Sequence, residues 1–205
     1  MSGLWLEDAP LVLASNSSIR AKILADAGVP LDVLPAAIDE RATEATLSGD
    51  EAAPSRVAVA LAAAKAIDVS QRSPGRLVLG CDQTLSAEGE RFTKPASRED
   101  GRAQLVRLAG RPHVLASGAA LARDGAILWS SVAEARLTMR PLGSQFIDAY
   151  LDAAVEGVLG SVGGYQFEGV GAQLFEAVEG DFFTILGLPL LPVLASLRDL
   201  GALAR

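Results

Sequence analysis

Short apolar runs typical of β-strands alternate with segments of helical periodicity along this 205-residue chain, and this alternation limits the possible folds more than any other feature. Residues 11–15 read as a buried strand, and residues 19–28 follow as a helix that ends at Gly28. The later elements that we predict are an extended segment 31–39, a helix 56–71, a strand 77–80 with a hairpin turn at Glu88–Gly89, a helix 97–110 capped by Ser97, strands 113–123 and 126–142, a helix 143–155, a strand 172–180 and a helix 188–204. Strands interspersed with helices predict an α/β fold.

Two segments, residues 40–55 and residues 156–172, show no regular period. The first is polar and acidic, and we predict a mobile loop there. The second is rich in glycine, which lets backbone approach a ligand closely. Within it, Tyr165 or Phe167 would offer a ring for stacking on a base. The alternative for this second segment is an ordinary loop.

The composition excludes several kinds of site. The chain has one cysteine, Cys81, and one histidine, so an internal disulfide, a cysteine cage and a histidine-rich metal site are excluded. Any bound metal therefore has to sit on carboxylates, which suits Mg²⁺ or Mn²⁺. The formal net charge of −7 argues against general binding to nucleic-acid backbones, although a few local cations can still hold a small anion.

The amino-terminal residues 1–10 have no basic start and no long apolar stretch, so we predict no signal peptide. The chain contains no run of about 18 apolar residues, which predicts neither a transmembrane helix nor a membrane partner. The single cysteine fits a reduced, cytoplasmic setting.

The residues "SNSSIR" at 15–20, between the first strand and the first helix, are small and polar. Backbone N–H groups at the start of a helix, the helix dipole and nearby hydroxyls together favour an anion. Arg20 adds a forked donor that matches phosphate oxygens. The alternative is that Ser15 or Ser17 only caps the helix while Arg20 is solvated.

Carboxylates occur at two positions that suit chemistry. Asp82 directly follows the apolar strand 77–80, and a carboxylate at the carboxyl end of a buried strand is a common metal ligand or general base. The alternative for Asp82 is a turn-forming role. Asp39 and Glu40 end an apolar segment, where paired acids either share a metal ion or are solvated.

Two lysines complete the set of candidate residues. Lys65 is a lone cation in the alanine-rich helix 56–71, so it either extends to the surface or reaches into a cleft. Lys94 precedes Pro95, which stiffens the backbone and would aim the lysine, and a surface lysine is the alternative. We interpret His113 as structural. Cations for phosphates and carboxylates for a metal and a base suit attack of water on a phosphate anhydride, assisted by a divalent ion.

The segment "LASNSSIR" at 13–20 resembles the S-x-S-x-x-R opening of the Maf family of nucleotide pyrophosphatases, also called septum-formation-inhibitor-like proteins. The motifs that follow in the family order are "IDE", the helix lysine Lys65, "GCDQT", "KP", "LAGRPHVLASG", "RPL", "GGYQFEG" and "LGLPL". The resemblance covers about residues 10–198. Many motifs in one order are far more specific than any one of them.

The resemblance implies an elongated, two-lobed α/β fold on a long twisted mixed sheet, with a nucleotide cleft between lobes that form one Maf-like domain over residues 1–205. Members cut nucleoside triphosphates between the α- and β-phosphates and require a divalent cation such as Mg²⁺, Mn²⁺ or Co²⁺. The roles implied are proton acceptor for Asp82, metal binding for Asp82 and Glu40, and phosphate contacts for Ser15, Arg20, Lys65 and Lys94.

Three positions, Ile19, Gln83 and Glu168, distinguish branches of this family. The branch that acts on dTTP and UTP has arginine, threonine and glutamine at these places, whereas Gln83 and Glu168 resemble the branch that hydrolyses 7-methyl-GTP. A carboxylate at Glu168 can accept the N1–H and N2–H of guanine and offset the positive charge of its N7-methyl form. The chain departs from that branch at Ile19, where an aromatic ring is usual, and the family's late lysine is replaced near Ser161.

The resemblance therefore predicts a cytoplasmic pyrophosphatase that clears 7-methyl-GTP, with the nucleoside triphosphate as its partner and no nucleic acid. The same chemistry on dTTP, UTP or modified pyrimidine triphosphates is the nearest alternative. A nucleotide-binding regulator of cell division with little turnover is an alternative of another class. Retention of Asp82, Glu40 and the two lysines favours the enzyme. The oligomeric state is left open, with a homodimer among the options.

Overall fold

Strands and helices alternate along the computed structural model, which confirms the α/β class. The structure describes residues 3–205, apart from the side chains of residues 155 and 156. The prediction of no signal peptide concerns residues 1–10, of which residues 1 and 2 lie outside the described residues. The strands of the described residues are β1 Leu11–Leu13, β2 Leu31–Val33, β3 Val78–Ala87, β4 Glu90–Phe92, β5 Pro112–Arg123, β6 Ala126–Met139 and β7 Phe175–Glu179. Their α-helices are α1 Ser18–Asp26, α2 Glu40–Ala45, α3 Pro54–Arg72, α4 Arg98–Leu108, α5 Ser144–Ala153, α6 Val155–Gly160, α7 Phe182–Ile185 and α8 Leu190–Asp199. Short 3₁₀ helices lie at Gly49–Ala52, Val162–Gly164 and Val170–Leu174.

The strands form a mixed sheet in the order β2-β1-β3-β5-β6-β7, with β4 paired to β3 outside this path. β1 runs parallel to both β2 and β3, whereas β4 and β7 run antiparallel to β3 and β6. Leu13 lies opposite Leu79, and the N–H of Ala14 donates to the carbonyl of Leu79 at 2.8 Å. This register places the residues that follow β1 beside the middle of β3.

Most predicted elements are present where the sequence places them. Ser97 caps α4, because its hydroxyl accepts the N–H of Asp100 at 3.1 Å. The hairpin between β3 and β4 turns at Glu88 and Gly89, whose φ angles of 52° and 83° are both left-handed, as a type I′ turn requires. In the part of the chain that the structure describes, no helix has the length and apolar character needed to span a bilayer.

The prediction of a mobile loop at residues 40–55 is wrong. The segment contains α2 and the 3₁₀ helix Gly49–Ala52, and α3 already begins at Pro54. The carboxylate of Asp39 accepts the N–H of Ala42 at 3.0 Å and so caps α2. Pro54 stands at the start of α3, where the missing N–H of proline costs nothing. The polar composition of residues 40–55 reflects short exposed helices. The glycine-rich segment 156–172 also contains helical turns.

β3 extends further than the sequence predicts. The strand is ten residues long, so Asp82 lies in its interior and the predicted position of Asp82 at a strand end is wrong. The predicted strand ends at Gly80, before the polar pair Asp82–Gln83. In the structure the side chain of Asp82 accepts from Lys65, and Nε2 of Gln83 donates to the hydroxyl of Ser117 at 3.0 Å. A polar pair with such partners does not interrupt a strand.

The chain divides into two compact units. The first contains the residues up to Gln83, Ser117–Ala133 and Gly187–Arg205, and the second contains Thr84–Ala116 and Glu134–Leu186. The core of the second unit includes Leu85, Leu105, Leu137 and Ile147, whose side chains are at most 1% exposed. In the first unit, α3 contributes alanines to the core, and these alanines determine how closely the helix approaches the sheet.

His113 is buried in the second unit and is structural, as predicted. It is 2% exposed, and its Nε2 lies 2.7 Å from the hydroxyl of Tyr165. Burial lowers the pKa of His113 to about 4. Tyr165 is itself buried and its ring packs edge-on against Phe175, so the expectation that Tyr165 stacks on a base is wrong. Phe167 also packs against Phe175, but it keeps part of its surface exposed.

Candidate active site

The turn between β1 and α1 holds the first group of predicted site residues. Ser17 caps α1, because its hydroxyl accepts the backbone N–H of Arg20 at 3.4 Å. The hydroxyl of Ser15 in turn accepts the N–H of Ser17 at 3.2 Å. The first turn of α1 contains no acidic residue of its own, so the positive end of the helix dipole stays attractive to an anion. The predicted capping role therefore belongs to Ser17.

The guanidinium of Arg20 is fixed by three oxygen acceptors, two of them from distant parts of the sequence. Its Nε donates to the carbonyl of Gly187 at 2.7 Å, and its Nη1 donates to the carbonyl of Cys81 at 3.0 Å and to the hydroxyl of Ser15 at 3.2 Å. The alternative that Arg20 is solvated is wrong. Because all three acceptors are neutral, they orient the guanidinium without neutralising its charge, which stays available to an anionic ligand.

Lys65 joins the two predicted metal-binding carboxylates. Its Nζ lies 2.6 Å from Oδ1 of Asp82 and 2.7 Å from Oε1 of Glu40. The side chains of Lys65 and Asp82 are each 13% exposed, whereas that of Glu40 is 52% exposed. The alternative that Lys65 extends to the surface is therefore wrong. Asp39 points its carboxylate at the start of α2 instead, so the structure separates the roles of the two neighbouring acids.

Gly80 allows Lys65 to reach Asp82. A Cβ atom at Gly80 would lie 2.1 Å from the carbonyl oxygen of Ala62 and 2.7 Å from the nitrogen of Ala66, so only glycine fits between β3 and α3. Ala62 and Ala66 are fully buried on the side of α3 that meets the sheet. The close approach of helix and strand is thus a consequence of small side chains on both, and it brings the ammonium within hydrogen-bonding distance of the carboxylate.

The charges of this cluster change the protonation of its members. Burial raises the pKa of Asp82, although the ammonium of Lys65 and the guanidinium of Arg20 act in the opposite direction. Burial alone would lower the pKa of Lys65, but the attraction and hydrogen bonds of Asp82 and Glu40 outweigh it and raise that pKa. Lys65 is therefore charged at neutral pH, and Asp82 is a stronger base than an exposed carboxylate.

Cys81 precedes Asp82 in β3 and is fully buried. Burial raises the pKa of its thiol to about 11, so the thiol is protonated and unreactive at neutral pH. The contribution of Cys81 to the site is its backbone carbonyl, which accepts from Arg20.

The carboxylates of Asp82 and Glu40 fit a hard divalent cation. The ammonium of Lys65 already lies between their oxygens, which shows that a positive charge is attracted to both at once. Among residues 3–205, no three or more His, Cys, Asp or Glu side chains form a group able to hold a metal ion by themselves. Mg²⁺ is commonly bound by one or two carboxylates, with phosphate oxygens and water completing its shell. The two carboxylates of Asp82 and Glu40 match the protein share of that pattern.

The remaining predicted residues divide between the two units. Ile19 lies half-buried in the first turn of α1, and Gln83 lies in β3 with its amide bonded to Ser117. Lys94 and Glu168 belong to the second unit, and both are exposed. The first unit thus brings together Ser15, Arg20, Glu40, Lys65 and Asp82, and the roles of all the candidate residues stay predictions from the family motifs.

The sequence interpretation missed two glycines that shape this site. Gly187 supplies the carbonyl that accepts from Nε of Arg20, and Gly80 allows α3 to approach β3. Both glycines stand in motifs of the family order, "LGLPL" and "GCDQT". The signal was present in each case, but a glycine in a motif does not tell which neighbour comes close to it.

Comparison with known proteins adds a family and named relatives. The family model described as "Maf-like protein" matches residues 10–200. A nucleoside triphosphate pyrophosphatase of Nitrobacter winogradskyi is 52% identical over 196 residues, which cover 96% of each chain. A 7-methyl-GTP pyrophosphatase of Mesorhizobium japonicum is 53% identical over 193 residues, covering 94% of this chain and 97% of that protein. A protein of Brucella abortus with the same name is 52% identical over 188 residues, covering 92% and 94%.

Proposed function

The chain belongs to the Maf family, and we propose that it hydrolyses a nucleoside triphosphate between the α- and β-phosphates to a nucleoside monophosphate and pyrophosphate. The observation that carries this proposal is the cluster in the first unit, where an oriented guanidinium, a buried ammonium and a buried carboxylate lie on neighbouring elements. These groups match the needs of anhydride hydrolysis, which are binding of phosphate charge and activation of water.

Arg20, Lys65 and Lys94 bind the phosphate chain, together with the hydroxyl of Ser15. A nucleoside triphosphate carries about four negative charges near neutral pH, so several cations are needed to gather it. Arg20 is held by neutral acceptors and keeps its charge for the ligand. Lys65 stays protonated because its pKa is raised. Both residues also stabilise the charge that develops on the leaving pyrophosphate.

Asp82 acts as the general base. It accepts a proton from the attacking water, and its raised pKa makes it better suited to this task than an exposed carboxylate. Asp82 and Glu40 would hold the divalent cation, which when bound supplies positive charge to the phosphate oxygens. The nearby ammonium of Lys65 keeps Asp82 oriented through its 2.6 Å contact with Oδ1.

The substrate that we propose is 7-methyl-GTP. Gln83 and Glu168 resemble the branch of the family with this preference, and relatives of Mesorhizobium japonicum and Brucella abortus carry the name 7-methyl-GTP pyrophosphatase. Glu168 is exposed in a turn, where its carboxylate can accept the two N–H donors on the edge of a guanine. N7-methylation gives that guanine a positive charge, which the carboxylate offsets.

Release of pyrophosphate from a panel of triphosphates tests the proposal. We expect 7-methyl-GTP to give a higher kcat/KM than GTP, dTTP or UTP, with Mg²⁺, Mn²⁺ or Co²⁺ present. Preference for dTTP or UTP would overturn the substrate and leave the family reaction intact. Absence of turnover with every substrate and metal would overturn the reaction itself. A cytoplasmic location, a homodimer and independence of nucleic acid and membranes stay predictions.

A further inference from the structure

Gly187 approaches Arg20 more closely than a residue with a side chain could. The carbonyl of Gly187 accepts from Nε of Arg20 at 2.7 Å. A Cβ atom at Gly187 would lie 2.9 Å from Nη2 and 3.1 Å from Nε of the same arginine. We infer that Gly187 is a positioning residue for the reaction: its carbonyl and its lack of a side chain hold the guanidinium of Arg20 in the orientation that binds phosphate. This inference rests on the proposed function.

The hydrogen bonds of Arg20 define which of its donors faces the ligand. A guanidinium carries five N–H donors, one at Nε and two on each terminal nitrogen. Gly187 uses the donor at Nε, and Cys81 and Ser15 use those at Nη1. The two donors at Nη2 are the ones that we assign to the phosphate chain. A Cβ at Gly187 would crowd Nη2 itself, so the geometry links a residue in the "LGLPL" motif to the phosphate-binding atom.

Two properties of Gly187 have to be separated in any test. Its φ of 88° is left-handed, so an L-residue is strained there whatever surrounds it. The three atoms nearest to an added Cβ all belong to the guanidinium of Arg20, so the closest steric conflicts are with that side chain. A purely structural glycine would show the first property without the second.

Gly201 provides a matched control for the backbone strain. It lies in the first unit, has a φ of 75°, and an added Cβ would meet no atom within 4 Å. Gly187→Ala and Gly201→Ala should therefore lower the thermal unfolding temperature by similar amounts. Only Gly187→Ala should lower kcat/KM, by roughly 10- to 100-fold, because a small displacement of a positioned group can cost that much.

A double-mutant cycle on 7-methyl-GTP and GTP hydrolysis with Mg²⁺ is the decisive experiment. Arg20→Ala should lower kcat/KM by about 10²-fold or more. Adding Gly187→Ala to Arg20→Ala should change kcat/KM by no more than about twofold, because the substitution then has no guanidinium to displace. A further loss as large as in the wild-type background would overturn the inference.

Arg20→Lys extends the test to the case in which Gly187→Ala does not fold. Lysine keeps the charge but cannot donate from Nε to Gly187 and from Nη1 to Cys81 at the same time. We expect its kcat/KM to fall nearly as far as that of Arg20→Ala for both substrates. Wild-type activity in Arg20→Lys would overturn the inference. Wild-type activity in Arg20→Ala would instead overturn the phosphate role of Arg20, and so the proposed function on which the inference rests.

Discussion

Arg20 and Lys65, two of the residues assigned to the phosphates, are held very differently from Glu168, the residue assigned to the nucleobase. Arg20 is fixed by three acceptors, and Lys65 lies between two carboxylates with 13% of its side chain exposed. Glu168 lies exposed in a turn of the second unit. The contrast is that Arg20 and Lys65 are oriented by protein partners, whereas Glu168, the carboxylate proposed to select the nucleobase, is in contact with solvent.

Exclusion of solvent strengthens the electrostatic interactions of Lys65 and Asp82, whereas contact with solvent weakens those of Glu168. Buried charges that are oriented before the reaction stabilise developing charge strongly, because no water has to reorganise. A solvated carboxylate interacts with a cationic base far more weakly. We therefore expect large effects on every substrate from Arg20, Lys65 and Asp82, and a small, substrate-dependent effect from Glu168.

Asp82→Asn should produce the largest effect. The substitution preserves size and removes the base, so kcat/KM should fall by about 10²- to 10⁴-fold for every triphosphate while the fold is retained. Pyrophosphate release and circular dichroism on the same samples provide the measurement. A folded variant that keeps more than roughly a tenth of the wild-type rate would contradict the assignment of Asp82 as the base.

Lys65→Ala and Lys94→Ala should have similar effects on activity but different effects on the free energy of unfolding. Each should lower kcat/KM for all triphosphates by a similar factor, since both lysines are assigned to the phosphates. Lys65→Ala should also lower the free energy of unfolding by on the order of 3 kcal/mol, because it leaves the buried carboxylate of Asp82 without its closest partner. Lys94 is exposed, and its loss should change stability by less than about 0.5 kcal/mol.

Urea unfolding of the two lysine variants measures this difference. Equal stability of Lys65→Ala and the wild type would show that the pair with Asp82 contributes nothing to folding. A changed ranking of substrates in either variant would move that lysine from the phosphates to the base.

His113 should make the second unit sensitive to acid. Its pKa is about 4 in the folded protein and 6.5 in the unfolded chain, so between these values the unfolded state binds more protons. Stability should therefore fall as the pH drops from 6.5 towards 4, by about 3 kcal/mol in total from this residue. Well above pH 6.5, where the imidazole is neutral in both states, His113 should contribute no slope.

Chemical denaturation between pH 4.5 and 7.5, compared between the wild type and His113→Asn, isolates this contribution. Asparagine does not titrate, so the variant should show a shallower dependence on pH. Parallel curves for the two proteins would mean that His113 is protonated at a similar pH in both states.

Glu168→Gln should have the smallest effect, and it should alter the ranking of substrates. The substitution removes the charge, so the ratio of kcat/KM for 7-methyl-GTP to that for GTP should fall by roughly fivefold. Glu176→Gln is the matched control, since Glu176 is also an exposed acid of the second unit. An unchanged ratio in Glu168→Gln would mean that another residue reads the base, and Ile19 would be the next to test.

Features carried by local sequence could be predicted. The alternation of strands and helices gave the α/β class, Ser97 marked the start of α4, and Glu88–Gly89 marked the hairpin. The order of motifs identified the candidate residues, and the structure brings those of the first unit together. The predictions of the cap and the turn succeed because each depends on neighbours along the chain.

Features that depend on distant contacts could not be predicted. The contact between Arg20 and Gly187 joins residues 167 positions apart. The sequence predicts that the strand ends before Asp82, and the contact of Asp82 with Lys65, 17 positions earlier, accounts for its place inside the strand. Likewise, the hydroxyl of the buried Tyr165 lies 2.7 Å from Nε2 of His113, 52 positions away. In each case the partner that decides the outcome belongs to another element.

The burial of Cys81 makes the protein its own reporter of opening. Its protonated thiol lies one residue before Asp82, out of contact with solvent. A thiol-specific reagent can react only in molecules where β3 becomes accessible, so the labelling rate measures how often this strand is exposed. Because Cys81 is the only cysteine in the sequence, each reagent molecule consumed corresponds to one protein molecule labelled at this strand. If a bound nucleotide slowed labelling, the degree of slowing would give the free energy by which it holds the strand closed.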